Sequence, residues 1–427
     1  MNIGSLNIEE VPSSESLPSG GLPPAVGLGG NGSGSSVSDG SGAGGLQLKS
    51  LHLRSFRNYR SFDLEDIGRL TILIGPNAVG KTTVVEAIQM LTDLKSFRTA
   101  RYGQMVRMGE EAAVVAGNLV GDGRDLDIRL SIRSGKRAYQ LNGKNKAVQD
   151  LKGLLPAVTF SPDDLNLAKG SNTARRTAID DLGSQLSKNF YAVKSDYAKL
   201  IKQKNRALKD EMPDTYIDSV DELLVRVGAQ LMAHRMVILD KMRPSFVSLY
   251  QEISDGKETL DFAYIPSWEN ADIDNILDNG GDLASVTLDL ERFDKEDAME
   301  RFSRALREQR ERERAYGKSI VGPHADKISF LLDGRNQTHY SSQGQQRSIV
   351  LAFKLAEAAV IQDTLHQKPI LLLDDVMSEL DERRRQYFLQ FISSEIQTFI
   401  TTTNRDYFDG NILSRAEVVE LGYGDRG

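Results

Sequence analysis

The sequence predicts an α/β fold in which a sheet-bearing domain is split by a mainly helical insertion and preceded by a disordered tail. Three observations carry that prediction. Short apolar runs of strand character cluster in residues 46–150 and return near the C-terminus. Helical periodicity fills the middle of the chain. Gly, Ser and Pro dominate the first 45 residues.

The 427 residues are enough for two or three domains with sizeable cores. Apolar content of 40% and charged content of 26% are those of an ordinary globular protein. The chain has no cysteine, which excludes disulfides, zinc–thiolate sites and iron–sulfur clusters. It has no run of about 18 apolar residues and no secretion-signal pattern, so the expectation is a cytoplasmic protein without a membrane span. Five scattered histidines, His52, His234, His324, His339 and His366, show no ligand spacing for a structural metal. A formal charge of −7 argues against a nucleic-acid coat protein but leaves room for a local basic surface.

Residues 1–45, including the stretch Gly29 to Gly45, cannot bury enough apolar surface to offset their ordering entropy and are predicted disordered. Order begins near Leu46. Leu46, Leu48, Leu51 and Leu53 open a strand, and Leu70 to Ile74 form a buried one. Leu126, Ile128, Leu130 and Ile132 alternate with polar residues in a half-buried strand. Tyr139-Gln140-Leu141 runs into Asn142-Gly143, a hairpin-turn signal.

From about Arg175 to Tyr316 the pattern is helical. Phe190, Val193, Tyr197, Leu200 and Ile201 mark one helix. Leu223, Leu224, Val227, Leu231, Ile238 and Met242 mark a second, long one, and a charged third runs from about Asp294 to Arg314. Sustained heptads are missing, so the insertion is a compact lobe rather than a coiled-coil rod. Pro369 to Leu373 and Thr398 to Thr401 restore strand character. The expected division is 1–45 tail, 46–178 first half of the nucleotide domain, 179–318 helical lobe and 319–424 second half.

Gly75-Pro76-Asn77-Ala78-Val79-Gly80-Lys81-Thr82 matches the phosphate-loop pattern GxxxxGK[ST] in full, between a strand and an amphipathic helix. The glycines let backbone N–H groups face the phosphates, and the helix from Thr82 to about Leu91 points its positive end at them. Lys81 is assigned to the β- and γ-phosphates of ATP and Thr82 to Mg²⁺, with Thr83 following in the binding segment. Leu371-Leu372-Leu373-Asp374-Asp375 is an apolar strand ending in two acids. Such carboxylates are costly at a buried strand tip unless they act on a cation. Asp374 is assigned to Mg²⁺, directly or from the second shell, and Asp375 to the attacking water.

Ser341 to Arg347 opens an apolar helix, Ile349 to Val360, with small hydroxyls and Gly344 at its start, a pattern suited to an anion. Beside the two preceding motifs it reads as the signature loop of an ABC-type ATPase. Ser342, Gly344 and Gln345 would then cap the γ-phosphate held by a second copy of the chain. Ser378-Glu379-Leu380-Asp381 stands where the D-loop of such a domain sits, and also suits a cap for the helix Asp381–Phe391.

With these motifs, further segments resemble the RecF family of bacterial DNA-repair ATPases. They are Phe56-Arg57-Asn58-Tyr59, Lys95-Ser96-Phe97-Arg98-Thr99, Phe160 to Leu165, Lys169-Gly170, Arg175-Arg176, Gly322-Pro323-His324, Tyr340 to Arg347 and Leu371 to Asp381. The resemblance runs from about Leu46 to Tyr423. It implies an ABC-type head related to those of SMC proteins, with a second lobe in place of a long coiled coil. It also implies a weak DNA-stimulated ATPase that closes as an ATP-dependent homodimer on double-stranded or gapped DNA. Implied partners are RecR, with RecO and RecA in the same gap-repair pathway.

Three departures stand out. His324 is followed by Ala325, Asp326 and Lys327 where the family usually has Arg-Asp-Asp. Thr401-Thr402-Thr403-Asn404 occupies the place of the switch histidine of ABC transporters, making Thr or Asn the expected γ-phosphate sensor. No Q-loop glutamine is evident, and Asp163 or Asp164 is its expected substitute.

For DNA contacts, Lys194, Lys199, Lys202, Lys204, Arg206 and Lys209 share one helix that looks poorly balanced by acids. Arg304, Arg307, Arg310, Arg312 and Arg314 share another, where Glu308, Glu311 and Glu313 offer a solvated, salt-bridged face as the alternative. Contacts of this kind go to phosphate and carry little base preference. Two other classes compete. The ATP-binding subunit of an ABC transporter is disfavoured by the roughly 290 residues between Lys81 and Asp374, and a nuclease-coupled ATPase would need a further acidic metal domain.

Overall fold

The computed structural model describes residues 45–269, 275–276, 283–337, 341–392 and 396–423. The predicted tail and Tyr340 lie outside the described residues. In order, the first half contains β1 (Gln47–Phe56), β2 (Tyr59–Leu64), β3 (Leu70–Ile74), α1 (Lys81–Thr92), β4 (Ala112–Gly121), β5 (Arg124–Arg133), β6 (Lys136–Leu141), β7 (Lys144–Lys146), α2 (Val148–Leu151) and β8 (Ala157–Phe160). The helical stretch follows as α3 (Leu165–Lys169), α4 (Asn172–Leu186), α5 (Lys188–Lys209), α6 (Asp214–Ser254), β9 (Leu260–Ile265), α7 (Lys295–Glu308) and α8 (Arg310–Tyr316). The chain then forms β10 (Lys327–Leu332), β11 (Arg335–Asn336), α9 (Gln343–Leu365), β12 (Ile370–Asp374), α10 (Glu382–Ile392), β13 (Thr398–Thr402), α11 (Gly410–Arg415) and β14 (Glu417–Glu420).

Two sheets enclose α1. One is antiparallel, in the order β2-β1-β4-β5-β6-β7, and the other is parallel, in the order β14-β3-β13-β12-β8. The two-residue alternation of β12 shows how the layers are glued. Ile370 and Leu372 face the cluster that holds Val84, Ile88 and Leu91 of α1 and Leu51 and Leu53 of β1. Leu371 and Leu373 face the opposite cluster with Phe353 of α9 and Met232 and Phe246 of α6. Sandwiched in this way, α1 is buried from Thr83 to Thr92 on every side. The Asn142-Gly143 turn closes β6 onto β7 with φ of 48° and 73°, as a two-residue hairpin turn requires.

The middle of the chain departs from its helical prediction in two places. Leu260 to Ile265 is a strand, buried at five of six positions and paired antiparallel with β10. A short apolar run of this kind has no period that separates strand from helix. The charged helix expected from Asp294 to Arg314 is two helices, α7 and α8, broken at Gln309. The long helix is 41 residues and carries Pro244 within it. It packs along α9 and α5, so the helices and the parallel sheet share one hydrophobic cluster.

Candidate active site

The loop Gly75–Gly80 joins the C-terminal end of β3 to the N-terminus of α1, at the carboxyl edge of the parallel sheet. Gly80 has φ 121°, and a Cβ there would lie 2.5 Å from the Tyr59 hydroxyl, so only glycine fits. No side chain caps the first turn of α1 and no acid lies in it, which leaves its N–H groups and positive end for an anion. The Lys81 ammonium donates to the carbonyls of Gly75, at 2.6 Å, and Pro76, at 3.0 Å. Burial lowers its pKa, while Asp375 and Asp374 oppose that shift.

The two acids at the end of β12 have different surroundings. The Asp374 Oδ1 accepts the Thr82 hydroxyl and the Thr401 hydroxyl, both at 2.9 Å. The backbone N–H of Asp375 donates to the same Thr401 oxygen at 2.9 Å, which fixes the turn where Asp375 adopts φ 55°. Burial raises both carboxyls above their ordinary range. The hydroxyls of Thr82 and Thr401 oppose this at Asp374, and Lys81 opposes it at Asp375. The Asp375 Oδ1 is shielded from solvent and has no hydrogen-bond partner among the described residues. An orphaned carboxylate oxygen beside a hydroxyl–carboxylate pair fits the hard-oxygen chemistry of Mg²⁺. No cluster of three or more His, Cys, Asp or Glu suited to a metal occurs among the described residues. The donor set therefore fits an ion that shares its ligands with phosphate and water, rather than one in a protein cage.

Lys81, Thr82, Thr83, Asn77, Ala78, Gly80, Asp375 and Thr401 line one open cavity of about 530 Å³. Gly75, Pro76 and Val79 complete the loop behind it, and Asp374 sits directly below Thr82. The remaining wall was not assigned from the loop motifs: Arg57, Asn58, Arg98, Gln104, Val106 and Met108. Arg57 and Arg98 converge on Glu86, which is fully buried and also accepts the Ser96 hydroxyl at 2.5 Å. The signal for this wall lay in Phe56 to Tyr59 and Lys95 to Thr99, segments singled out only for their family resemblance.

The expected signature residues lie elsewhere. Ser342 forms a capping box with Gln345 at the start of α9, and neither they nor Gly344 line the cavity of Lys81. They are tied to the segment after β12: Arg347 donates to Glu379 at 2.9 Å, and Arg384, which pairs with Asp381, lies 3.4 Å from the Cβ position of Gly344. Of the sensor alternatives, Thr401 lines the cavity, whereas Asn404 caps its own loop through the Asp406 N–H. Asp163 and Asp164 line a separate cavity of about 420 Å³ behind α1, where Asp164 pairs with the buried Lys354 of α9.

The first basic helix requires a correction. Lys204 is fully buried, its ammonium paired with Asp221 at 2.7 Å and Glu313 at 2.6 Å, so it is unavailable to DNA. Nor is the helix short of acids. Lys194 pairs with Asp181, Lys199 with Asp196 and Arg206 with Asp210. Lys202 and Lys209 are exposed and make no ion pair among the described residues. On the second set, Arg310 and Arg314 pair mainly across to Asp214, Asp218 and Asp221 of α6. Asp196 and Asp210 are local partners legible in the sequence, whereas the acids that hold Lys204, Arg310 and Arg314 come from other helices and cannot be read from the sequence of their own.

Comparison with known proteins agrees with this geometry. A family model described as RecF/RecN/SMC N terminal domain matches residues 47–418. The chain is 34% identical over 387 residues to the DNA replication and repair protein RecF of Synechococcus sp. (strain JA-3-3Ab), a match covering 89% of this chain and 97% of the relative. It is 33% identical over 384 residues to RecF of Halalkalibacterium halodurans, covering 89% and 98%. Among solved structures it is similar to the recombination mediator protein RecF-ATPrS in the RecFOR pathway, with a TM-score of 0.78, 28% identity and coverage of 89% and 97%. The RecF–ATP structure gives 0.73 at 29% identity. These matches disfavour the transporter reading and give the chain the SMC-like ATPase head fold. The chain belongs to the RecF family of DNA replication and repair proteins.

Proposed function

We propose that the chain is an ATP-dependent DNA-binding protein of recombinational repair, in which ATP closes a homodimer on double-stranded or gapped DNA and hydrolysis opens it. The single observation that carries this reading is the convergence of Thr82, Asp374, Thr401 and Asp375 on the mouth of the Lys81 loop. Lys81 leaves the Gly75 and Pro76 carbonyls and donates to the β- and γ-phosphates. Thr82 and Asp374 would hold magnesium, which when bound would neutralise charge on those phosphates. Asp375 accepts a proton from the attacking water. Burial raises the Asp375 carboxyl above its ordinary range, and the ammonium of Lys81 opposes that shift.

The same reading explains a half-complete site. Ser342, Gly344 and Gln345 do not line the cavity of Lys81, so in this reading they serve the site of a second copy. Arg347–Glu379 and Arg384–Asp381 then carry the dimer contact back toward Asp375, four residues before Glu379. The similar recombination mediator described in the RecFOR pathway supports RecR and RecO as partners, and helping them load the recombinase RecA is the role proposed for the assembly. None of the described helices is long and apolar enough to cross a membrane, and the proposed location is the cytoplasm.

Sedimentation velocity of the full chain tests the proposal. With ATP and duplex DNA, a dimer–DNA species is expected, and it should fall back to monomer as ATP is consumed. A chain that stays monomeric with ATP and DNA present overturns the ATP-gated dimer.

A further inference from the structure

We infer that Glu258 is a positioning residue for the start of α9, acting on Ser342 through the side-chain amide of Gln345. This inference rests on the reading of Ser342 and Gly344 as the cap for a second copy's nucleotide. The Gln345 amide is engaged at both ends. Its Oε1 accepts the Ser342 N–H at 2.6 Å, and its Nε2 donates to Glu258 Oε1 at 2.5 Å. A carboxylate accepts but cannot donate, so Glu258 decides which end of the amide faces Ser342. The Gln345 N–H in turn donates to the Ser342 hydroxyl oxygen at 3.2 Å. That leaves the hydroxyl proton of Ser342, exposed at the start of a 23-residue helix, as a donor for phosphate. Gln345 therefore shapes the cap rather than touching phosphate itself.

Glu258 is itself held. Its Oε2 accepts the hydroxyl of Tyr250 at 2.6 Å, and Tyr250 is fully buried near the end of α6. Burial, and then the Glu258 carboxylate, raise the Tyr250 hydroxyl above its ordinary range, so it stays a donor. The chain turns between α6 and β9 with Asp255 at φ 58° and Gly256 at φ 65°. Beside Glu258, Thr259 donates its N–H at 2.7 Å and its hydroxyl at 3.0 Å to Asp333 Oδ1. Thr259 O accepts the Asp333 N–H at 2.8 Å. The carboxylate thus stands on a braced turn, as the support of a functional group requires. Two more acids of the same segment reach α10: Glu252 accepts the Tyr387 hydroxyl at 2.8 Å, and Asp255 pairs with Arg383. The end of the long helix is therefore the base on which the start of α9 is set.

The test is a double-mutant cycle on the full chain. Dimer dissociation constants are measured by sedimentation with Mg²⁺, the slowly hydrolysed analogue ATPγS and duplex DNA, and monomer ATPγS affinity by calorimetry. Glu258→Ala and Gln345→Ala should each weaken the dimer about tenfold or more, as loss of a hydrogen bond to a charged group would. Monomer ATPγS affinity should not change. The double variant should be no weaker than the worse single one, because both remove the same link. Glu258→Gln keeps an acceptor and should recover most of the loss. Losses that multiply in the double variant overturn the inference, because Gln345 would then act without Glu258. Wild-type dimerisation by Glu258→Ala overturns it too. So does weaker monomer binding, because Glu258 would then hold the fold and not the cap. Should Glu258→Ala fail to fold, Gln345→Ala decides alone: the Tyr250–Glu258 pair is intact there, and wild-type dimerisation overturns the inference. If the wild type stays monomeric, the second-copy reading itself fails, and this inference fails with it.

Discussion

The hydroxyl of Thr82 donates to the carboxylate of Asp374 at 2.9 Å, although 292 residues separate them in the chain. The contact closes the parallel sheet around the phosphate loop: β13, between β3 and β12, supplies Thr401 to the same carboxylate oxygen. Each functional assignment at this junction has a measurable consequence.

Lys81→Met should reduce ATP affinity by about 10²-fold or more, since it removes the one ammonium at the loop. Calorimetric titration with Mg²⁺ and ATP checks this. Affinity within a few-fold of wild type would remove Lys81 from the phosphate site.

Asp375→Asn should keep ATP bound and slow hydrolysis by about 10²–10⁴-fold, the usual contribution of a positioned base. The dimer should then persist on duplex DNA long after wild type has released. Normal turnover by the purified variant rejects the base assignment.

Ser342→Arg should leave monomer ATP affinity intact, because Ser342 lies outside the cavity of Lys81. ATP-dependent dimerisation should disappear in light scattering. Persistent dimers would show that the start of α9 is not at the interface.

Lys202 and Lys204 are two residues apart and should behave in opposite ways. Lys204→Met leaves Glu313 without its buried cation and Asp221 with Arg310 alone, and should cost about 3–5 kcal/mol in denaturant unfolding. DNA affinity of the folded fraction should not change. Lys202→Ala should leave stability unaltered, weaken DNA binding and reduce the salt slope by about 1. A DNA defect confined to Lys204→Met would reverse the correction made for that helix.

Glu357 supplies a pH test. It is buried beside Lys354, and burial lifts its carboxyl to about 7, against the opposing pull of that lysine. A carboxyl raised on folding contributes stability that is present in full below its unfolded value, near 4.5, and is lost as pH rises through 7. Glu357→Gln stays neutral throughout. Its melting temperature relative to wild type should therefore climb between pH 5 and pH 8. A flat difference across that window would mean that Glu357 ionises in the folded protein as it does in the unfolded one.

By itself the sequence determined the local grammar of this protein. The phosphate loop, the apolar strand ending in Asp374 and Asp375, the β6–β7 turn and the long amphipathic helices are all set by neighbours within a few residues. Steric limits on φ and the side-chain periods of strand and helix act over that range. Strand β9 escaped because six mostly apolar residues carry no distinguishing period, and its identity was settled by pairing with β10 some 60 residues later.

Tertiary structure decided which groups meet. Arg57 and Arg98 reach the cavity wall only because Glu86 of α1 draws both together, and Met108 lines it because the neighbouring Arg107 N–H donates to Ser55. Lys204 looks like its exposed neighbours in sequence, yet Asp221 and Glu313 enclose it from two other helices. A charge's role depends on its solvation and on partners distant in the chain, and both are set by how the helices pack.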